Sequence, residues 1–197
     1  MAISACDLGY VSPERIYDAV DLTLNRAWDD VWSLDLTYTW SHSRGNAEGY
    51  VKSDNGQDDA GLTTDWDFPY LMDGAYGDLP NDRRHAFKAY GAYAITEAFS
   101  LGLNMTLTSG RPISGFGHGL PADYDEFDQY AYGQTYYLGA DNESFAPRGA
   151  FGRTAWIAKL DLSAKYVLDV SGYDLELRAD VYNLLDAQGV TEVDEDQ

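Results

Sequence analysis

Three histidines and two acidic clusters are the residues of this chain whose chemistry would matter if a fold gathered them. His42, His85 and His118 are of the type that serves general acid–base catalysis, with His85 directly after Asp82-Arg83-Arg84 and His118 between two glycines. No Ser or Cys stands in a recognisable nucleophile setting, so the sequence does not support an enzyme. Asp54, Asp58 and Asp59 surround Asn55-Gly56 and offer the hard oxygens that calcium prefers. They lack the downstream bidentate Glu of an EF-hand, and the same residue types are ordinary turn formers. Asp123, Asp125, Glu126 and Asp128 are interleaved with Tyr124, Phe127 and Tyr130. Asp123, Tyr124, Asp125 and Tyr130 are therefore the candidates for contact with a sugar or a cationic ligand, against the plainer reading of a solvated loop. Arg83, Arg84, Arg148 and Arg153 fall at junctions between patterned and unpatterned segments, where pairing with loop carboxylates is the expected role. Cys6 is the only cysteine, which excludes a disulfide framework and a thiolate zinc pair; no cofactor is implied.

The elements that would carry these residues are strands. Six segments alternate polar and apolar residues with a period of two. The cleanest sets Trp32, Leu34, Leu36, Tyr38 and Trp40 against Ser33, Asp35, Thr37, Thr39 and Ser41; another sets Phe99, Leu101, Leu103, Met105 and Leu107 against Ser100, Gly102, Asn104, Thr106 and Thr108. A helical period of 3.6 would scatter these residues around the axis. The predicted strands lie near 17–28, 32–43, 84–95, 99–110, 155–168 and 173–185, after a short lead-in over 1–16 that looks foreign to the rest. Each run approaches the roughly 10 residues that a tilted strand needs to cross a bilayer.

Short turns join the pairs, and two long polar stretches near 44–83 and 111–154 separate them, an asymmetry typical of outer-membrane barrels. Aromatics of the apolar sets gather at both ends. Trp28, Trp32, Tyr93, Phe99, Tyr166 and Tyr173 mark the turn end, and Tyr38, Trp40, Phe87 and Trp156 the loop end. Two belts suit two membrane interfaces, whereas a sandwich core gives no reason for them. The expected fold is all-β: an antiparallel meander of about six long strands, a segment of a transmembrane barrel. Six strands do not close such a barrel, so the chain reads as a piece. In the last hairpin, parity and the Ser171-Gly172 turn predict Leu168 opposite Tyr173, Lys165 opposite Glu176 and Ser163 opposite Arg178, with Arg178 also near Asp161.

Composition sets further bounds. With 13 Lys and Arg against 33 Asp and Glu, a net charge of −20 leaves too little positive charge for nucleic acid. Tyr, at 16 residues, outnumbers Phe and Trp, as suits a half-buried pleated surface. No apolar run is long enough for a membrane helix, and Met1 to Gly9 lacks the basic start and apolar stretch of a signal peptide.

Five strings then stand in order along the chain: Asp54-Asn55-Gly56-Gln57; Leu79-Pro80-Asn81-Asp82-Arg83-Arg84-His85-Ala86-Phe87-Lys88; Ser109-Gly110-Arg111-Pro112-Ile113; Pro147-Arg148-Gly149 with Gly152-Arg153-Thr154; and Asp180-Val181-Tyr182-Asn183-Leu184-Leu185. Together they resemble the Oar-like branch of TonB-dependent outer-membrane receptors, from about Tyr17 to Glu195. The resemblance implies a barrel of about 22 strands around an N-terminal plug, taking up a ligand with energy from the TonB complex. It implies outer-membrane lipid, the plug and the remaining barrel strands as partners, and the outer membrane of a Gram-negative bacterium as the location. A soluble β-cup that binds a small ligand and a membrane-barrel hydrolase are the competing classes.

Overall fold

The computed structural model of the chain describes residues 8–56, 59–61, 63–124 and 134–196. Six long strands form one antiparallel sheet: β1 (Arg15–Arg26), β2 (Trp32–Gly45), β4 (His85–Ala94), β5 (Phe99–Thr108), β8 (Ile157–Val170) and β9 (Tyr173–Val181), hydrogen-bonded in that order. Two-residue β3 (Gly77–Asp78) pairs antiparallel with the far end of β2, and β6 (Tyr137–Leu138) pairs with β7 (Ser144–Phe145) in a separate ribbon. The sheet is a meander of the kind the alternation predicts. It is not closed: β1 and β9 are its two edges.

Register keeps the two chemistries apart. Leu36 lies between Leu24 and Ala89, Ala89 opposite Met105, and Met105 opposite Leu160, so one apolar face runs across the sheet. The other face carries Asn25, Asp35, Tyr90, Asn104 and Asp161 along one cross-strand row. Opposed residues share a face because side chains alternate along every strand.

The two aromatic belts are formed. Tyr38 stacks on Phe87 at 4.5 Å, and His85 on Trp156 at 5.8 Å, at the loop end. At the turn end Phe99 meets Tyr166 at 6.3 Å, Trp32 is opposite Tyr93, and the Arg26 guanidinium lies 4.0 Å from the Trp32 ring centroid.

Each short turn is closed by a side-chain oxygen accepting the N–H three residues on: Asp29 from Trp32 (2.9 Å), Thr96 from Phe99 (3.0 Å) and Asp169 from Gly172 (2.9 Å). The third turn corrects the expected register. Ser171 and Gly172 both have positive φ (57° and 84°), so they form a two-residue turn flanked by Val170 and Tyr173. The pairing is therefore slid by two residues: Leu168 opposes Leu175, Lys165 opposes Arg178, and Ser163 opposes Asp180. Facing is preserved because the slip is even. The Lys165–Glu176 ion pair still forms, at 2.8 Å, as a diagonal contact, while Arg178 bonds Asp180 on its own strand at 3.0 Å.

Burial lies where a two-layer domain would not have it. Among the described residues, Ala89 is the only buried apolar residue of the six long strands. On the apolar face Leu22 is 61% and Leu103 36% exposed. The buried side chains Leu71, Met72, Leu79, Phe116, Leu120 and Tyr136 all belong to the long connections. These stretches, which the sequence marks only as long and polar, carry buried side chains of their own. They fold into a cap with its own core.

Candidate functional site

The cap is built from the described residues of 46–82 and 109–155 and the described segment after β9. Its apolar centre is Met72, Ala75, Phe116 and Tyr136, with Trp66 packed against it. Met72 closes a 3-10 turn, Pro69–Met72, which begins with a proline whose missing N–H costs nothing there. Gly110 of the Ser-Gly-Arg-Pro string is required sterically: a Cβ there would lie 1.7 Å from the Thr154 carbonyl oxygen.

Charges are buried inside this cap. Arg148 donates from Nε to the Tyr136 hydroxyl (2.9 Å) and from Nη2 to Asp65 Oδ2 (3.3 Å), and its Nη1 lies 3.7 Å from Asp54 Oδ2. Lys52 also binds Asp65, and its ammonium sits 4.8 Å from the Phe116 ring centroid and 5.5 Å from that of Tyr136. Two cations thus face two carboxylates, the balance that buried ions require. Burial pushes Arg148 down, but Tyr136, Asp54 and Asp65 outweigh it and hold the guanidinium above its ordinary value. Burial drives the Tyr136 phenol upward, so it stays protonated. The Asp54 carboxylate oxygens and Arg148 Nη1 have no hydrogen-bond partner.

A second lock joins distant segments. Buried Arg111 pairs with Glu195, which also accepts from the Ser114 N–H at 2.6 Å. Burial raises the Glu195 carboxyl above its usual value in spite of both partners.

At the rim, Asp78 and Asp82 gather the basic residues. Arg84 Nη2 donates to both Asp78 and Asp82 at 3.0 Å, Arg153 binds both, and His42 Nε2 lies 2.7 Å from Asp78. Asp82 also accepts the Ser43 N–H at 2.7 Å, tying the cap to the end of β2. Burial pushes Asp78 up, but the His42 hydrogen bond, Arg84 and Arg153 hold it below the ordinary carboxylate range. Arg84, Arg148 and Arg153 take the role of pairing with loop carboxylates. Arg83 differs: it donates to the Ser109 carbonyl at 3.3 Å and is lowered by burial and by nearby Arg111 and Arg153.

The candidates named from sequence are distributed as follows. Tyr124 donates to Asp73 at 2.7 Å and meets Tyr137 edge-on, and the Asp123 charge helps to raise the Tyr137 phenol; Asp125 and Tyr130 lie outside the described residues. Asp54 points into the buried charge cluster, Asp59 is exposed, and Asp58 lies outside the described residues. Among the described residues, no group of three or more His, Cys, Asp or Glu side chains is placed to hold a metal ion. The histidines do not meet: His42 is on Asp78, His85 is 2.9 Å from the Tyr38 hydroxyl, and His118 is exposed. Lys52, Asp65, Asp73 and Glu195 escaped the sequence reading. Their partners are 13 to 84 residues away, and the one available signal was the Trp, Phe and Tyr content of loops that a solvated connection has no use for.

An open antiparallel sheet with an apolar face, a charged face, aromatics at both ends and a loop-built cap is consistent with a segment of a barrel. Comparison with known proteins makes the assignment particular. Over 192 residues the chain is 35% identical to the TonB-dependent transporter Oar of Myxococcus xanthus, a match covering 94% of this chain and 16% of that relative. The chain is thus similar to a segment of a TonB-dependent transporter, the likeness that its five strings led one to expect, and it spans a small part of that relative's length. No protein-family model matches it, and no solved structure does.

Proposed function

We propose that this chain is part of the barrel of a TonB-dependent outer-membrane receptor that takes up a ligand by energy-coupled transport. The observation that carries this reading is the single open sheet with two incompatible faces. Its apolar face suits lipid tails, and charges such as Lys159, Asp161 and Lys165 fill the other, where lipid would cost about 2–4 kcal/mol for a basic residue at the midplane. On this reading further strands of the parent protein continue the sheet at β1 and β9. Its plug lies against the charged face, and the TonB complex acts through the plug's N-terminal region. The role is binding and passage, not catalysis; the ligand is unidentified, and loop residues such as Asp123 and Tyr124 remain its candidate contacts.

Cell fractionation tests the reading. The protein should follow the outer membrane and require detergent for release. Recovery as a monodisperse monomer in plain buffer would instead favour the soluble β-cup, and hydrolytic activity lost on exchanging His85 or His118 would favour the barrel hydrolase.

A further inference from the structure

The rim holds one more guanidinium than it has carboxylates to pair. Arg84 and Arg153 share Asp78 and Asp82, and Arg111 takes Glu195. Arg83, beside Arg111 and Arg153, pairs with no carboxylate among the described residues. Half-buried, it donates only to the Ser109 carbonyl, at 3.3 Å. In a chain of net charge −20, a local excess of positive charge is not a by-product of composition. Burial, then the like charges of Arg111 and Arg153, hold Arg83 below its ordinary value. An anion seated there would offset both effects.

Position decides which anion. Arg83 lies two residues before His85, which opens β4, stacks on Trp156 at 5.8 Å and opposes Trp40. These rings form the loop-end aromatic belt. At roughly 3.3 Å per residue, two extended residues carry the backbone about 7 Å beyond it. The headgroup layer on each side of a bilayer's hydrocarbon is about 5–7 Å deep. Trp156 is 48% exposed, so the cap does not cover the belt beneath Arg83.

We propose that Arg83 binds the phosphate of a membrane lipid whose acyl chains lie along the apolar face past Trp156 and Phe87. The inference rests on the outer-membrane reading above and adds a bound component to it. The planar fork of arginine suits two oxygens of one phosphate, and a half-buried setting strengthens the contact. Arg111 and Arg153 hold carboxylates of their own and add only their field. Arg83 thus ties the rim to the headgroup layer, while Arg84 and Arg153 tie it to Asp78 and Asp82.

Lipids with brominated acyl chains test this, since they quench tryptophan only at close range. The detergent-extracted protein is titrated with brominated phosphatidic acid and, separately, with brominated phosphatidylcholine. Phosphatidic acid should reach half-quenching at an about fivefold lower mole fraction, the effect of one basic side chain at an anionic headgroup. Arg83→Gln should abolish that preference, and Lys88→Gln, opposite Thr106 on the charged face, should keep it. If Arg83→Gln does not fold, phenylglyoxal labelling of the unaltered protein decides, mapped by peptide mass spectrometry. Phosphatidic acid should slow labelling of Arg83 but not of exposed Arg15, and inorganic phosphate should slow neither. Equal quenching by the two lipids, a preference that survives Arg83→Gln, or equal protection by inorganic phosphate would overturn the proposal. Quenching by neither lipid would overturn it together with the membrane reading.

Discussion

Arg148 is the residue on which the cap depends most. It is buried, it contacts Asp54, Asp65 and Tyr136, and it comes from the Pro-Arg-Gly string that carried part of the family resemblance. Exchanging it for Met removes the charge and leaves two carboxylates sharing Lys52 alone. Such a loss from a buried ion pair costs about 3–5 kcal/mol. Arg148→Met should therefore loosen the cap while leaving the strands formed. Trp66, packed on the cap core, should report an early transition in urea-dependent fluorescence that the wild type lacks. Arg148→Lys should be intermediate, because an ammonium reaches one partner well but cannot span three with a planar fork.

The hairpin of β8 and β9 shows what a strand pattern contains and what it omits. Alternation determined which side chains share a face, and the structure agrees for every long strand. Alternation is blind to an even slip, and there the turn decides: Ser171 adopts the left-handed conformation beside Gly172 and shortens the loop to two residues. Cysteines at Ser163 and Asp180, opposed on the charged face, should cross-link under mild oxidation. The pair Ser163 with Arg178, opposed in the register expected from sequence, should not, because diagonal neighbours lie roughly 7–8 Å apart, beyond disulfide reach. The reverse result would restore the original register. The candidate site was far less legible than the sheet. Rim residues such as Asp82, Arg84 and Arg153 stood out because they sit beside a strand start. Lys52, Asp65 and Glu195 did not, since no periodicity links residues that meet only across the cap.

For the whole molecule, the question is which face meets lipid. A single lysine placed on each face separates the answers. Leu103→Lys, at mid-strand on the apolar face, should cost about 2–4 kcal/mol in refolding into lipid vesicles, the penalty of a basic residue at the midplane. Thr106→Lys on the charged face, opposite Lys88 and Lys159, should cost far less. Equal costs would mean that the apolar face packs on protein and not on lipid.

The Arg111–Glu195 lock also sets an order in time. Three strand pairs, β1–β2, β4–β5 and β8–β9, join neighbours close in sequence, so those hairpins can form while the chain is still being delivered, whereas β2–β4 and β5–β8 join across the long connections. Asp65 waits 83 residues for Arg148, and Arg111 waits 84 for Glu195. Closing such loops costs more entropy than closing a hairpin, so those contacts come late. The three hairpins are therefore raised first, and the last bolt of the roof, Arg111 to Glu195, is driven only when the residues after β9 arrive.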